Sequence, residues 1–297
     1  MTTTLRPLTP EQPAPDGGRG RLFAVCVNGR PVGRVTVTAR PDVEGGPRIG
    51  EITALGIDPP DRGRGRGTVA ALAAEEVLRG WGCLRARAVV EQDPTGQPTD
   101  QPADQPADQP AGLRLAQALG YRVRSRQLAK QLPDSLPELP SGGYGRPLTA
   151  EEFPDWLADA TRSRIEDRIA QGLTPEQARG ACEADLRRLL PYGLDSPHTV
   201  LRVLRSAGQD VGSLWLDTGS RHPAGTQPSA WVFDVRVAPE HRRRGHGRSL
   251  MLLAERECLD VGIRRLGLDV QADNAPANAL YRALGYRTTR HILDKQL

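Results

Sequence analysis

The sequence predicts two tandem copies of one α/β (α+β) fold, each a mixed, mostly antiparallel sheet flanked by helices, and three observations predict it. Short segments recur in the same order: Arg6-Pro7-Leu8-Thr9 returns as Arg146-Pro147-Leu148-Thr149, Leu119-Gly120-Tyr121-Arg122 as Leu284-Gly285-Tyr286-Arg287, and Lys130-Gln131-Leu132 as Lys295-Gln296-Leu297. The distances between these anchors agree: Gly33 and Gly212 precede Gly65 and Gly245 by 32 and 33 residues, and Gly82 and Gly262 follow them by 17. Each copy also alternates runs of β type with apolar residues at helical spacing. The expected domains are residues 1–135 and 140–297, joined by a Pro-rich linker from Leu132 to Pro147.

The second copy shows its elements most plainly. Glu151 to Gly172 and Thr174 to Pro191 read as helices, with Phe153, Trp156, Leu157, Ile165 and Ile169 on one apolar face and Ala178, Leu186, Leu189 and Leu190 on the other. Thr174-Pro175-Glu176-Gln177 is a capping box with Pro at the first helical position. His198 to Arg205 and Val211 to Thr218 read as an antiparallel strand pair, and Trp231 to Ala238 as a third, mostly buried strand. An arginine-glycine loop follows, then a helix from Arg248 to about Gly262, a strand Arg265 to Gln271, a helix Ala275 to Leu284 and a last strand Arg287 to Leu293. The first copy lacks the two leading helices. It carries instead a surplus between Gly65 and Gly120 in which Asp-Gln-Pro-Ala is repeated from Asp100 to Ala111, and a proline at every fourth residue forbids helix and ladder, so a flexible loop is expected.

Composition narrows the function classes. Hydrophobic residues are 38% and charged residues 26%, and no apolar run approaches the ~18 residues that span a bilayer, so a membrane protein is not expected. The Thr- and Pro-rich start, Met1 to Asp16, lacks the pattern of a secretory signal, and Cys26, Cys83, Cys182 and Cys258 show no metal-type spacing. A cytoplasmic protein with buried thiols and no metal is the expectation. The net charge of +4 comes almost wholly from arginine and is too modest to announce a nucleic-acid face.

The two loops, Arg62-Gly63-Arg64-Gly65-Arg66-Gly67 and Arg242-Arg243-Arg244-Gly245-His246-Gly247, each join a strand to a helix. Backbone N–H groups at a helix N-terminus are unpaired, the helix dipole adds positive potential, and glycines let an anion approach the backbone. A diphosphate site follows. An RNA-binding arginine-glycine segment is the competing reading, disfavoured because such segments are long and unflanked whereas this one recurs between a strand and an amphipathic helix.

Strand, Val-Ala-Pro-Glu, Arg-x-x-Gly-x-Gly and helix resembles the GCN5-related N-acetyltransferases, and Asn274-x-x-Ala-x-x-Leu-Tyr281-x-x-x-Gly-Tyr is similar to that family's second hallmark. The likeness covers nearly all of the second copy and, more weakly, the first. It implies transfer of an acetyl group from acetyl-CoA, as co-substrate, to an amine without a covalent enzyme intermediate. By motif match Tyr281 is the acid for the leaving thiolate, and Asp234 is the candidate base. The oxyanion donor is expected on the strand at Val235 to Val237. The diphosphate is expected against Arg243, Arg244, Gly245, His246 and Gly247, with Arg242 and Arg248 near and Asn274 orienting pantetheine or a water.

The first copy departs where chemistry is expected. Ala116 stands in place of Tyr281, and no Asn-x-x-Ala precedes it. It keeps the phosphate loop, so Ile57, Arg62, Gly63, Arg64, Gly65, Arg66, Gly67 and Thr68 form a possible second CoA site, and Glu51 stands where some family members place a glutamate base. A degenerate first copy and a catalytic second copy are expected. The acceptor is expected to be a primary amine of a small, antibiotic-like metabolite. The alternatives are a protein or peptide N-terminal acetyltransferase and a non-catalytic acyl-CoA-binding regulator. The chain is expected to act as a monomer or homodimer, with Glu152, Asp155 and Asp159 available to a cationic substrate.

Overall fold

In the computed structural model, residues 2–13, 17–41, 48–92, 110–135, 137–139, 143–219 and 229–297 are described. Most of the Asp-Gln-Pro-Ala repeat lies outside them. Contacts divide the chain into two compact units: Met1–Arg126 with Gln271–Asp273 and Thr288–Leu297, and Gln127–Val270 with Asn274–Arg287. Each is a mixed sheet with helices packed on it.

The first unit holds strands β1 (Thr3–Pro7), β2 (Gln12–Pro13), β3 (Arg19–Val27), β4 (Arg30–Pro41), β5 (Arg48–Ile57) and β6 (Cys83–Glu91), with helix α1 (Arg66–Gly80) and the shorter α2 (Ala111–Ala118). β1, β3, β4 and β5 pair antiparallel in that order, β5 pairs parallel with β6, and the far side of β6 is taken by the chain's last strand. Its core joins Val25, Val35 and Val37 of the sheet to Ala70, Ala74 and Leu78 of α1, residues spaced at one face of a helix.

Strand β7 (Arg122–Gln131) divides at Arg126/Gln127, and its second part belongs to the second unit. That unit continues with β8 (Gly143–Pro147), α3 (Phe153–Ala170), α4 (Pro175–Leu189), β9 (Thr199–Ser206), β10 (Gln209–Asp217), β11 (Ala230–Val237), α5 (His246–Asp260), β12 (Arg265–Gln271) and α6 (Ala275–Ala283); β13 (Arg287–Gln296) ends the chain. The end of the expected linker is therefore a strand, because Gly143–Pro147 completes the edge of the sheet against β9, as its counterpart Thr3–Pro7 does against β3. Side chains alternate across β9 and β10. Leu204, Leu214 and Leu216 face α5, whereas Leu201, Val203 and Trp215 face α3 and α4, so the sheet is covered on both sides. On α3, Phe153, Trp156 and Leu157 pack on the sheet as their spacing suggests, with Ala160 buried beside them, but Ile169 near the helix end is 40% exposed.

Each unit is completed by the strand that ends the other half of the sequence. β13 pairs antiparallel with β6 from Arg290↔Glu91 to Gln296↔Arg85, and Leu293 is fully buried in the first unit's core. β7 lies beside β12, and Leu128 and Leu132 join the second unit's core. The only two lysines lock these strands in place. Lys295 Nζ donates to both carboxylate oxygens of Glu75 on α1 at 2.9 and 2.8 Å, over the ring of Tyr121. Lys130 Nζ donates to Glu255 on α5 at 2.7 and 2.8 Å, over the ring of Tyr286.

Candidate functional site

In both copies a pair of parallel strands opens like a V. β11 and β12 pair only from Ala230↔Leu266 to Val232↔Leu268, and β5 and β6 pair only as far as Ile52↔Ala88. At that point each copy has a β-bulge. Between β10 and β11 the register shifts at Trp215/Leu216, leaving Phe233 as the extra residue, and between β4 and β5 it shifts at Thr36/Val37, leaving Thr53. A bulge bends its strand, and beyond it Asp234 to Val237 stay paired with β10 but not with β12, so the strand edge there faces the cleft between the splayed strands.

The loop after β11 turns through a 3-10 helix, Pro239–His241, into α5. Arg243 (φ 60) and Gly245 (φ 85) take the left-handed conformation, as Gly63 (φ 72) and Gly65 (φ 72) do in the other copy. Among the described residues, the N–H groups of Arg243 to Arg248 meet no backbone acceptor, and the first helical bond is from Ser249 N to Gly245 O. These amides, with the N-terminus of α5, form a row of donors suited to an anion. A Cβ at Gly247 would stand 3.2 Å from Leu280 Cδ2, so the start of α5 lies close against the Leu280 side chain of α6 and any larger residue there would have to displace it. Arg242 is turned away from the loop's mouth: its Nε donates to Val237 O at 3.2 Å, as Arg62 Nε does to Ile57 O at 2.8 Å. Arg243, Arg244 and Arg248 are exposed, and burial together with the charges of His241 and Arg244 lowers the pKa of His246.

Asp234 stands in the cleft on β11. Its side chain keeps 23% accessibility, yet Oδ2 is fully covered and accepts no hydrogen bond; the Arg236 guanidinium is 3.4 Å away without hydrogen-bond geometry. Desolvation raises its pKa, against the lowering pull of Arg236 and Arg164. That is the state of a carboxylate able to take up a proton. Tyr281, on α6, is partly buried against the core, 6.0 Å ring to ring from Tyr286. Desolvation, then the charge of Asp234, pushes its pKa up to about 12. Val235 and Val237 pack against the same core. Asn274 caps α6, its side-chain oxygen accepting from Ala277 N at 3.1 Å. The strand, loop and helix thus bring Asp234, Tyr281 and the amide row into one unit.

Motif reading does not find the other wall of the cleft. Arg164 on α3 lies 4.6 Å over the ring of Trp215 and donates to the carbonyl of Phe233, the bulged residue, at 3.1 Å. Phe153, Trp156, Trp215 and Phe233 extend this contact into an aromatic cluster. The signal is present in the sequence: 153, 157, 160 and 164 trace one helical face, and an arginine on it requires a partner. The acids expected nearby are elsewhere. Glu152 is bound to Arg146 and Thr149, which hold its pKa down to about 2, Asp159 pairs with Arg162 on the surface, and Asp155 is exposed.

In the first copy Asp61, at the position of His241, is buried and ion-paired with Arg66 and Arg30, so Arg66 points into the fold rather than toward a ligand. Arg64 is exposed, and Gly67 and Thr68 open the helix as Gly247 and Arg248 do. Glu51 pairs with Arg40 at 3.7 Å on the closed part of the strand pair. Among the described residues no three His, Cys, Asp or Glu side chains gather as a metal site, and no helix is long and apolar enough to cross a membrane.

Comparison with known proteins agrees with this geometry. The family model "Acetyltransferase (GNAT) family" matches residues 5–96 and again 168–286. An uncharacterized N-acetyltransferase, YycN of Bacillus subtilis, is 31% identical over 153 residues, covering 51% of this chain and 96% of its own length. A mycothiol acetyltransferase of Pseudarthrobacter chlorophenolicus is 32% identical over 158 residues, 52% of this chain and 45% of that one. In fold, a GCN5-related N-acetyltransferase from Sphaerobacter thermophilus aligns over 93% of this chain and 80% of its own, with a TM-score of 0.51 at 21% identity. The chain belongs to the GNAT acetyltransferase family and carries that family's fold twice.

Proposed function

We propose that the second copy is an N-acetyltransferase that moves the acetyl group of acetyl-CoA to a primary amine of a small molecule in a ternary complex. The observation that carries this reading is the pairing, in one cleft, of a proton acceptor with a proton donor: Asp234 with raised pKa and a bare, covered Oδ2, and Tyr281 held protonated up to about 12. The donor row at Arg243 to Arg248 and the glycine approach at Gly247 fit the diphosphate of CoA, which supplies the thioester when bound.

An amine attacks only when neutral, so Asp234 takes its proton, directly or through a water, as the N–C bond forms. Backbone N–H groups on the strand edge that faces the cleft beyond the bulge at Phe233 support the negative charge on the carbonyl oxygen. As the C–S bond breaks, the Tyr281 phenol gives its proton to sulfur. Arg164 holds the bulge from the acceptor side. In the first copy Ala54 and Ala116 replace the two proton carriers, which supports a non-catalytic role there.

Tyr281→Phe is expected to lower kcat about 10²-fold or more while calorimetry shows CoA binding unchanged. Equal loss of binding, or no loss of rate in an amine-dependent CoA-release assay, would remove Tyr281 from the mechanism.

A further inference from the structure

The first unit contains a cavity of about 250 Å³ in the mouth of the strand V, between the open ends of β5 and β6, roofed by α2. Its walls are apolar, with Ile52, Leu55, Val90, Leu115 and Leu119 among them. Three lining residues are polar: Glu91 pairs with Arg290 at 2.7 Å, the Tyr121 ring lies beneath Lys295, and Thr53, the bulged residue, is exposed at the mouth.

Two lining residues explain why space exists there. Ala54 pairs with Thr36 beside the bulge as Asp234 pairs with Trp215, and Ala116 occupies the helical position of Tyr281, because Leu115 meets Gly67 as Leu280 meets Gly247. Replacing a carboxylate and a phenol by two methyl groups removes the proton chemistry and leaves a greasy pocket. The adjoining loop nevertheless retains its left-handed turns at Gly63 and Gly65, its free helix N-terminus and the exposed Arg62 and Arg64. Anion cradle and apolar cavity meet at one contact, since a Cβ on Gly67 would be 3.4 Å from Leu115 Cδ2.

We infer that the first unit is a binding site for an acyl-CoA whose acyl chain, longer than acetyl, enters this cavity and is held without being transferred. The inference rests on the acyl-CoA reading of the fold proposed above. The size fits: a dry cavity of roughly 150 Å³ accepts a six-carbon ring, so this one takes a chain of about four to eight carbons with its thioester. Each methylene moved from water into such a lining strengthens binding up to roughly fourfold.

The test is calorimetric titration of the full chain with CoA, acetyl-CoA, butyryl-CoA and octanoyl-CoA, with the recovered ligand weighed by mass spectrometry. Octanoyl-CoA is expected to bind one site at least about 30-fold more tightly than acetyl-CoA and to be recovered intact. Ala54→Phe, at an exposed strand position, is expected to abolish that gain while leaving acetyl-CoA binding in the second unit intact; Ala116→Leu, which fills the cavity from the helix side, serves as the second variant. If no CoA ester binds, the acetyltransferase reading itself falls. If all bind but octanoyl-CoA gains nothing over acetyl-CoA, only the chain-binding inference is overturned. A gain unaffected in folded Ala54→Phe and Ala116→Leu proteins also overturns it, since the chain then sits elsewhere.

Discussion

Arg243 shows how a single residue registers the duplication. It takes the left-handed conformation that glycine supplies at the matching position 63, and for an L-residue that conformation costs about 1–2 kcal/mol. Glycine has more unfolded freedom to lose, so Arg243→Gly should stabilise the protein by about 0.5–1 kcal/mol, read as a higher urea midpoint. An unchanged midpoint would mean that the arginine makes up its strain through its charge. His291 makes an opposite kind of prediction. Burial and Arg126 lower its pKa from 6.5 to about 4, with Nε2 2.7 Å from the Gln92 side-chain oxygen. Its folded pKa is depressed, so the unfolded chain binds the extra proton. The associated stability is present above pH 6.5 and lost as pH falls toward 4, about 2 kcal/mol of it by pH 5. His291→Gln should flatten that segment of the pH–stability curve, and a curve of unchanged slope would locate the titration elsewhere. Asp234 and Tyr281 were legible at this scale as candidates, Tyr281 from its place in the motif that begins at Asn274 and Asp234 from its position on the strand before the loop. For Arg164 the helical face alone is legible; its partners, Trp215 and the Phe233 carbonyl, come from strands far along the chain, and no local spacing names them.

At the scale of elements, the strands and helices follow local chemistry. The capping box at Thr174 forms as written, with Thr174 Oγ accepting from Gln177 N and Gln177 Oε1 accepting from Thr174 N. The helix read from Arg248 begins two residues earlier, at His246, because Gly245 turns the chain into it. What local chemistry does not reveal is which strand lies beside which. β7 and β13 are nearly identical in ending, and the ion pairs Lys130–Glu255 and Lys295–Glu75 bind each of them to a helix of the other half. Both glutamates are almost wholly buried. Lys130→Met should therefore cost about 3–5 kcal/mol by leaving Glu255 without a counter-charge, whereas Lys130→Met with Glu255→Leu should recover most of that loss. Equal destabilisation in the single and double variants, measured by denaturant titration, would show that packing rather than charge compensation holds the strand.

For the whole molecule, the exchanged strands make the two halves mutually dependent. Residues 1–135 alone would leave β6 with a bare edge where β13 belongs and an open site for Leu293; residues 140–297 alone would leave β12 without β7 and the core without Leu128 and Leu132. Each half expressed singly should aggregate or pair with its own kind, and co-expression of both should restore a soluble one-to-one complex. A monomeric, fully folded single half by gel filtration and circular dichroism would refute this dependence.

The sequence by itself determined the duplication, the fold class and the two arginine-glycine loops between strand and helix, because each of these depends on local periodicity, glycine conformation or fixed spacing, and by the same spacing it named Asp234 and Tyr281 as the candidates for the proposed proton chemistry. Only the tertiary structure decided that the final strands change places, that Arg164 braces the bulge, and that the first copy's missing side chains leave a cavity rather than a filled core. Two strands of equal length with the same Lys-Gln-Leu ending present a similar hydrogen-bonding edge and the same lysine, so local sequence does not say which sheet takes which. The choice is made by which buried glutamate and which core each reaches in three dimensions.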